Sequence, residues 1–109
     1  MSKPVVQRPR ADTDIDDIFR WLRRESAPSA VAFLDSVQAA YELLAAHPGA
    51  GSKRHADLCP ELPYPLRYFP LTRFPRILIY YMERPDAVEV IRVWDAARGL
   101  DALMESIDE

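Results

Sequence analysis

The sequence predicts an α+β fold: a helical hairpin packed on a small, mostly antiparallel, twisted sheet, in the order β-α-α-β-β-β. Three observations carry the prediction. Residues 13–46 hold two runs with apolar side chains at helical spacing, split by Ser26, Ala27 and Pro28. Residues 66–95 hold three β-branched and aromatic runs, separated by turn residues. The length of 109 residues fits one domain, 1–109, and leaves no room for a second core.

"PVVQRP", residues 4–9, is short and bounded by proline, and reads as an edge strand. The first helix is expected at 13–25, capped by Asp12 or Thr13. Asp14, Asp16 and Asp17 then load its first turn and Arg20, Arg23 and Arg24 its last, which suits the helix dipole. Ile15, Ile18, Phe19 and Leu22 form one apolar stripe, with Trp21 beside it. Pro28 fits the first turn of a second helix. That helix runs to about Ala46, with Ala30, Leu34, Val37, Tyr41 and Leu44 as its buried stripe, and His47, Pro48 and Gly49 stop it.

Residues 48–63 are a loop rich in Pro and Gly. Strands are expected at 66–71, 76–82 and 87–95. Pro70 makes the first of them short or peripheral, and residues 83–86 turn the chain between the last two. Strict alternation on 87–95 puts Val88, Val90, Arg92 and Trp94 on one face and Glu89, Ile91, Val93 and Asp95 on the other. Neither face is cleanly polar, and two helices cover only one. The other needs the C-terminal tail or another chain. Residues 99–109 form an acidic tail in which Leu100, Leu103 and Ile107 have helical spacing; it either folds over the sheet or hangs free.

Half the residues are apolar, so the chain is expected to fold. A domain of this size buries roughly 60–70% of its unfolded surface, and a permanent partner adds stability to so thin a core. The single Cys59 rules out an internal disulfide and a structural zinc site; it is expected as a half-buried thiol in a reducing cytoplasm. The polar N-terminus does not read as a signal peptide, and no run of about 18 apolar residues offers a membrane span. Net charge is −3, unlike the basic balance of most nucleic-acid-binding proteins. Twelve of the fourteen basic residues are arginine, the residue suited to bidentate contacts with carboxylates.

No Gly-rich phosphate loop, metal-ligand cluster or serine triad is present, and neither a metal nor a cofactor is expected. Asp14, Asp16 and Asp17 imitate a metal cluster, but dipole pairing explains them better. His47 reads as a helix-end residue and His55, beside Lys53 and Arg54, as a solvated loop residue. Tyr80 and Tyr81 point to opposite sheet faces, one to the core and the other free to stack on a ligand or partner.

In their order and spacing, "ADTDIDDIFRWLRRESAPSAVAFLDSVQAAYELLAAHPGAG", "YPLRYFPLTRFPRILIYYME" and "VEVIRVWDAARGL" resemble the hairpin, following strands and last strand of the ParE/RelE superfamily of bacterial toxins. The likeness is nearer to the ParE branch. It implies the toxin of a type II toxin–antitoxin pair, neutralised by contact with a cognate antitoxin of ribbon-helix-helix type, in a hetero-oligomer. ParE-like members are associated with DNA gyrase, RelE-like members with mRNA cleavage on the ribosome. The superfamily's closing "HxARD" pattern is altered: Asp95 stands for the His and Gly99 for the Asp, while Arg98 is retained.

RNA cleavage by 2′-OH attack needs a proton acceptor, a proton donor and cations for the phosphorane-like charge. Without the His this stretch lacks the residue type suited to proton transfer near neutrality, and an acid at its place repels an approaching phosphate. The residues thus favour action through protein contact without catalysis, and the resemblance implies DNA gyrase as the target. The antitoxin contact set is expected to be Ile18, Trp21, Leu22 and Trp94 with Arg67, Arg73, Arg76 and Arg98. The alternative is a ribosome-dependent ribonuclease in which Arg73, Arg76, Arg98 and Tyr81 hold phosphate and Asp95 transfers a proton. A third reading is a toxin fold that survives only as a binding module.

Overall fold

A four-stranded sheet lies between two covers of unequal size. In the computed structural model, which describes residues 2–107, the chain runs β1 (Val5–Gln7), α1 (Pro9–Glu25), α2 (Ala27–Ala46), β2 (Leu66–Pro70), β3 (Ile77–Glu83), β4 (Val88–Asp95) and α3 (Leu100–Glu105). The strand order is β1-β4-β3-β2, antiparallel except that β1 runs parallel to β4, with Val5 opposite Val88. The predicted α+β architecture holds, including the first strand lying beside the last.

Helix α1 begins four residues before the expected start. Pro9 occupies its first turn and Arg8 is its N-cap, without a side-chain cap. A proline there loses no hydrogen bond, so it opens the helix instead of closing the strand. Thr13 is consequently inside the helix, where its hydroxyl donates to the Pro9 carbonyl at 3.1 Å. Asp14 moves out of the first turn and inward. Ser26 serves both helices: its N–H donates to the Leu22 carbonyl at 2.7 Å, and its hydroxyl accepts from the Ser29 N–H at 3.3 Å. One extended residue thus ends α1 and starts α2.

The buried stripe of α2 is Ala30, Phe33, Val37, Ala40 and Leu44. Leu34, expected inside, is 40% exposed, and Tyr41 is only half-buried. A helix apolar on nearly every side leaves its own rotation open. Phe33 decides it by meeting Phe74 edge-on, with ring centroids 6.0 Å apart.

The alternation read for β4 is also broken. Tyr80 pairs with Arg92 and Tyr81 with Val90, so Ile91 is an extra residue, a β-bulge. The bulge flips every later side chain to the other face. Val88, Val90 and Val93 meet the helical hairpin with Ile77, Ile79 and Tyr81. Ile91 and Trp94 join Leu66, Tyr80 and Met82 on the opposite face. Leu103 and Ile107 of the tail, with Cys59 from the long loop, close that second face. Cys59 is 3% exposed, more deeply placed than expected. The tail therefore covers the second apolar face that the sequence left open.

Candidate functional site

The strands place a cleft beside α1. The loop from β2 to β3 folds back against the hairpin, Phe74 seating on Phe33. Between that loop, the outer side of α1 and the end of β4 lies a cavity of about 470 Å³. Its apolar walls are Ile18, Trp21, Leu22, Phe74, Pro75 and Ile77, and its polar rim is Asp17, Arg76, Asp95 and Arg98. Trp21 is 50% exposed, a large aromatic surface that no part of the described chain covers.

Each rim group is held by its own chain. Asp95 forms an ion pair with Arg76 Nε at 2.9 Å, and accepts from Arg76 Nη2 at 3.2 Å and from the Ala97 N–H at 2.9 Å. It thereby caps the short turn Ala96–Arg98. That turn carries Arg98, whose guanidinium carbon lies 4.0 Å over the Trp94 ring. The Trp94 Nε1–H donates to the Gly99 carbonyl at 3.2 Å, which fixes the ring. Gly99 has φ 84° and ψ 157°, a region essentially reserved for glycine. Asp17 stands 3.9 Å from Arg20.

Of the residues expected to bind an antitoxin, Ile18, Trp21, Leu22, Arg76 and Arg98 meet at this cleft. Trp94 does not line it. The bulge turns its side chain to the other face, where it is 1% exposed beneath the tail; it supports Arg98 from behind. Arg67 reaches the other end of the sheet and donates to the carbonyls of Gly49 at 3.3 Å and Gly51 at 3.0 Å. Arg73 sits in a separate shallow depression with Pro28, Val31 and Asp35 of α2.

Of the alternative catalytic set, Arg76, Asp95 and Arg98 meet at the cleft rim, whereas Arg73 and Tyr81 lie elsewhere. Tyr81 is fully buried; its hydroxyl donates to the Pro48 carbonyl at 2.7 Å and accepts from the Gly51 N–H at 2.8 Å. Burial raises its pKa further above the ordinary phenol value. A Cβ on Gly51 would collide with this ring, so the glycine is required by the close approach. Tyr80 is equally buried, so neither tyrosine is free to stack on a ligand. Its phenol, pushed up to about 12 by burial and then by Tyr68, meets His55 Nδ1 at 3.0 Å. His55 is not a solvated loop residue: it stacks on Tyr68 with centroids 4.7 Å apart.

Sequence reading missed a buried ion pair. Asp14 accepts from Arg92 Nε at 2.7 Å and Nη2 at 2.8 Å, and from the Val93 N–H at 3.0 Å. Arg92 also donates to the Ser106 hydroxyl, so one guanidinium joins α1, β4 and the tail. The signal was an arginine inside an apolar strand, a position that demands a carboxylate partner. Glu89 is a second junction, paired with Arg8 and Arg84. Burial alone pushes its carboxyl up, but the hydrogen bonds and charges of these two arginines outweigh it and hold the group below its usual value.

A helical hairpin on a four-stranded sheet, with an apolar, arginine-rimmed cleft beside it, defines the class as a small α+β domain with an open binding cleft. Residues 5–100 match the family described as the ParE toxin of the type II toxin–antitoxin system, parDE, so the chain belongs to that family. A solved chain of the chromosomal ParDE toxin–antitoxin system from P. aeruginosa has the same fold. Its TM-score is 0.66 at 16% identity, over 84% of this chain and 94% of that one. No curated protein matches the sequence.

Proposed function

We propose that this ParE-type toxin acts by binding DNA gyrase, without bond-making chemistry of its own, and is neutralised when a cognate antitoxin occupies the cleft between α1 and the β2–β3 loop. The carrying observation is the convergence of Ile18, Trp21, Leu22, Arg76 and Arg98, from three separate stretches of chain, around one open apolar cavity. A half-exposed tryptophan next to arginines has the composition of a binding hot spot. An amphipathic helix from a ribbon-helix-helix protein, laid along α1, suits such a groove. The ribonuclease reading loses support because Tyr81 is locked inside the fold.

The test uses the purified chain and the product of the adjacent reading frame. The toxin should block gyrase supercoiling or trap its cleavage complex, and the adjacent product should restore activity at stoichiometric ratio. Site-specific cuts in mRNA on programmed ribosomes, with gyrase untouched, would replace this reading with the ribonuclease one.

A further inference from the structure

Asp95 and Arg98 together point to a charge filter on the cleft. The rim carries two guanidiniums, Arg76 and Arg98, and they are in different states. Arg76 is already engaged by both oxygens of Asp95. Arg98 has no carboxylate partner among the described residues; its contact is the Trp94 ring behind it. A guanidinium stacked by its face keeps its N–H edge free, the geometry that receives a carboxylate. The turn that carries it is capped by Asp95. One side chain therefore quenches the first cation and helps to position the second.

We propose that Asp95 is a specificity-determining residue: it stands in for a partner's carboxylate at Arg76, so the cleft selects a helical segment bearing one large apolar side chain and a single acid, which Arg98 receives. The occupant is thus an amphipathic helix of the partner, its apolar residue against Trp21 and its carboxylate on Arg98. A segment with a second acid facing Arg76 meets Asp95 instead, and like charges at that distance repel. The charges fit this partner: Asp95 pairs with Arg76, which leaves Arg98 as the rim cation without a carboxylate partner among the described residues. This inference rests on the antitoxin reading above.

The experiment measures binding of the full-length chain to helical peptides from the adjacent reading frame's product. Each acid in the peptides is changed in turn to its amide. In the unaltered chain one acid should dominate, its amide costing about tenfold in Kd. In Arg98→Gln the same amide should cost nothing. Asp95→Asn is the decisive variant: asparagine still caps the Ala96–Arg98 turn, so folding is kept, while Arg76 is released. It should bind a peptide carrying an added acid at the Arg76 side at least about tenfold more tightly than the unaltered chain does. Equal affinities in the unaltered chain and Asp95→Asn overturn the filter. So does an acid whose loss matters as much with Arg98→Gln as without it. Failure of the intact adjacent product to bind at all would remove the antitoxin reading and this inference with it, whereas binding that ignores both variants removes only the filter.

Discussion

At the scale of single residues, the decisive feature is where charge is buried. Asp14 and Arg92 are both almost fully enclosed and satisfy each other. Breaking such a pair from one side strands a charge, whereas replacing both with apolar residues is often tolerated. Asp14→Ala should therefore cost about 3–5 kcal/mol in urea unfolding, and Asp14→Leu with Arg92→Met far less. Trp94 behaves as core: Trp94→Ala should cost about 3–5 kcal/mol of folding stability. His55 gives the pH dependence. Burial first, then the Arg54 charge, holds its imidazole below the ordinary value. The unfolded chain thus takes up this proton at higher pH than the folded one. The stabilisation is whole above about pH 6.5 and declines as pH falls through that value towards the folded pKa. Denaturation at pH 7.5 and 5.5 should show the loss, and His55→Gln should shrink the step between them.

Among the elements, α3 is the one whose fate the sequence left undecided. Its spacing of Leu103 and Ile107 was visible, but nothing local says whether a six-residue helix docks or frays. What fixes it is non-local: the Ser106 hydroxyl on Arg92 and the Ile107 carbonyl accepting from Arg8 Nη1 at 3.1 Å. Leu103→Ala removes a fully buried side chain and should destabilise the chain by about 2–5 kcal/mol, while Leu100→Ala, at an exposed position of the same helix, should move it by less than about 0.5. Comparing the two melts tests whether the tail is cover or appendage. The existence of the helical hairpin, by contrast, was legible from its apolar period and the Ser26–Pro28 joint, whereas the start of α1 and the rotation of α2 were not. The β4 bulge was not: inserting Ile91 depends on pairing with β3, and it alone reversed the reading of Trp94. The cleft was half legible for the same reason. Ile18, Trp21 and Leu22 share a helix face that periodicity reveals, whereas Phe74 and Pro75 reach the site through a loop whose path only packing sets.

For the molecule as a whole, the proposed binding cleft lies apart from the surfaces that close the core. Both apolar faces of the sheet are closed by the chain itself, one by the hairpin and one by the tail with the long loop. The protein therefore does not need its partner to complete a core, as the thinness of a 109-residue domain had suggested. The cleft is among the surfaces that remain open, and its principal aromatic, Trp21, is half-exposed in the free chain. Losing a half-exposed side chain costs the folded state little, but losing a hot spot costs the complex much. Trp21→Ala should accordingly leave the urea midpoint of the free toxin nearly unchanged. Its effect should appear when the adjacent reading frame's product is added. A partner at a hundred times its Kd stabilises the fold by about 2.7 kcal/mol, seen as a rise in Tm that grows with the logarithm of its concentration. At partner concentrations well above both Kd values, that rise should be smaller in Trp21→Ala by a constant offset that scales with the lost binding energy. If instead the variant's own Tm fell and the partner-induced rise stayed the same, Trp21 would belong to the core and the binding surface would lie elsewhere.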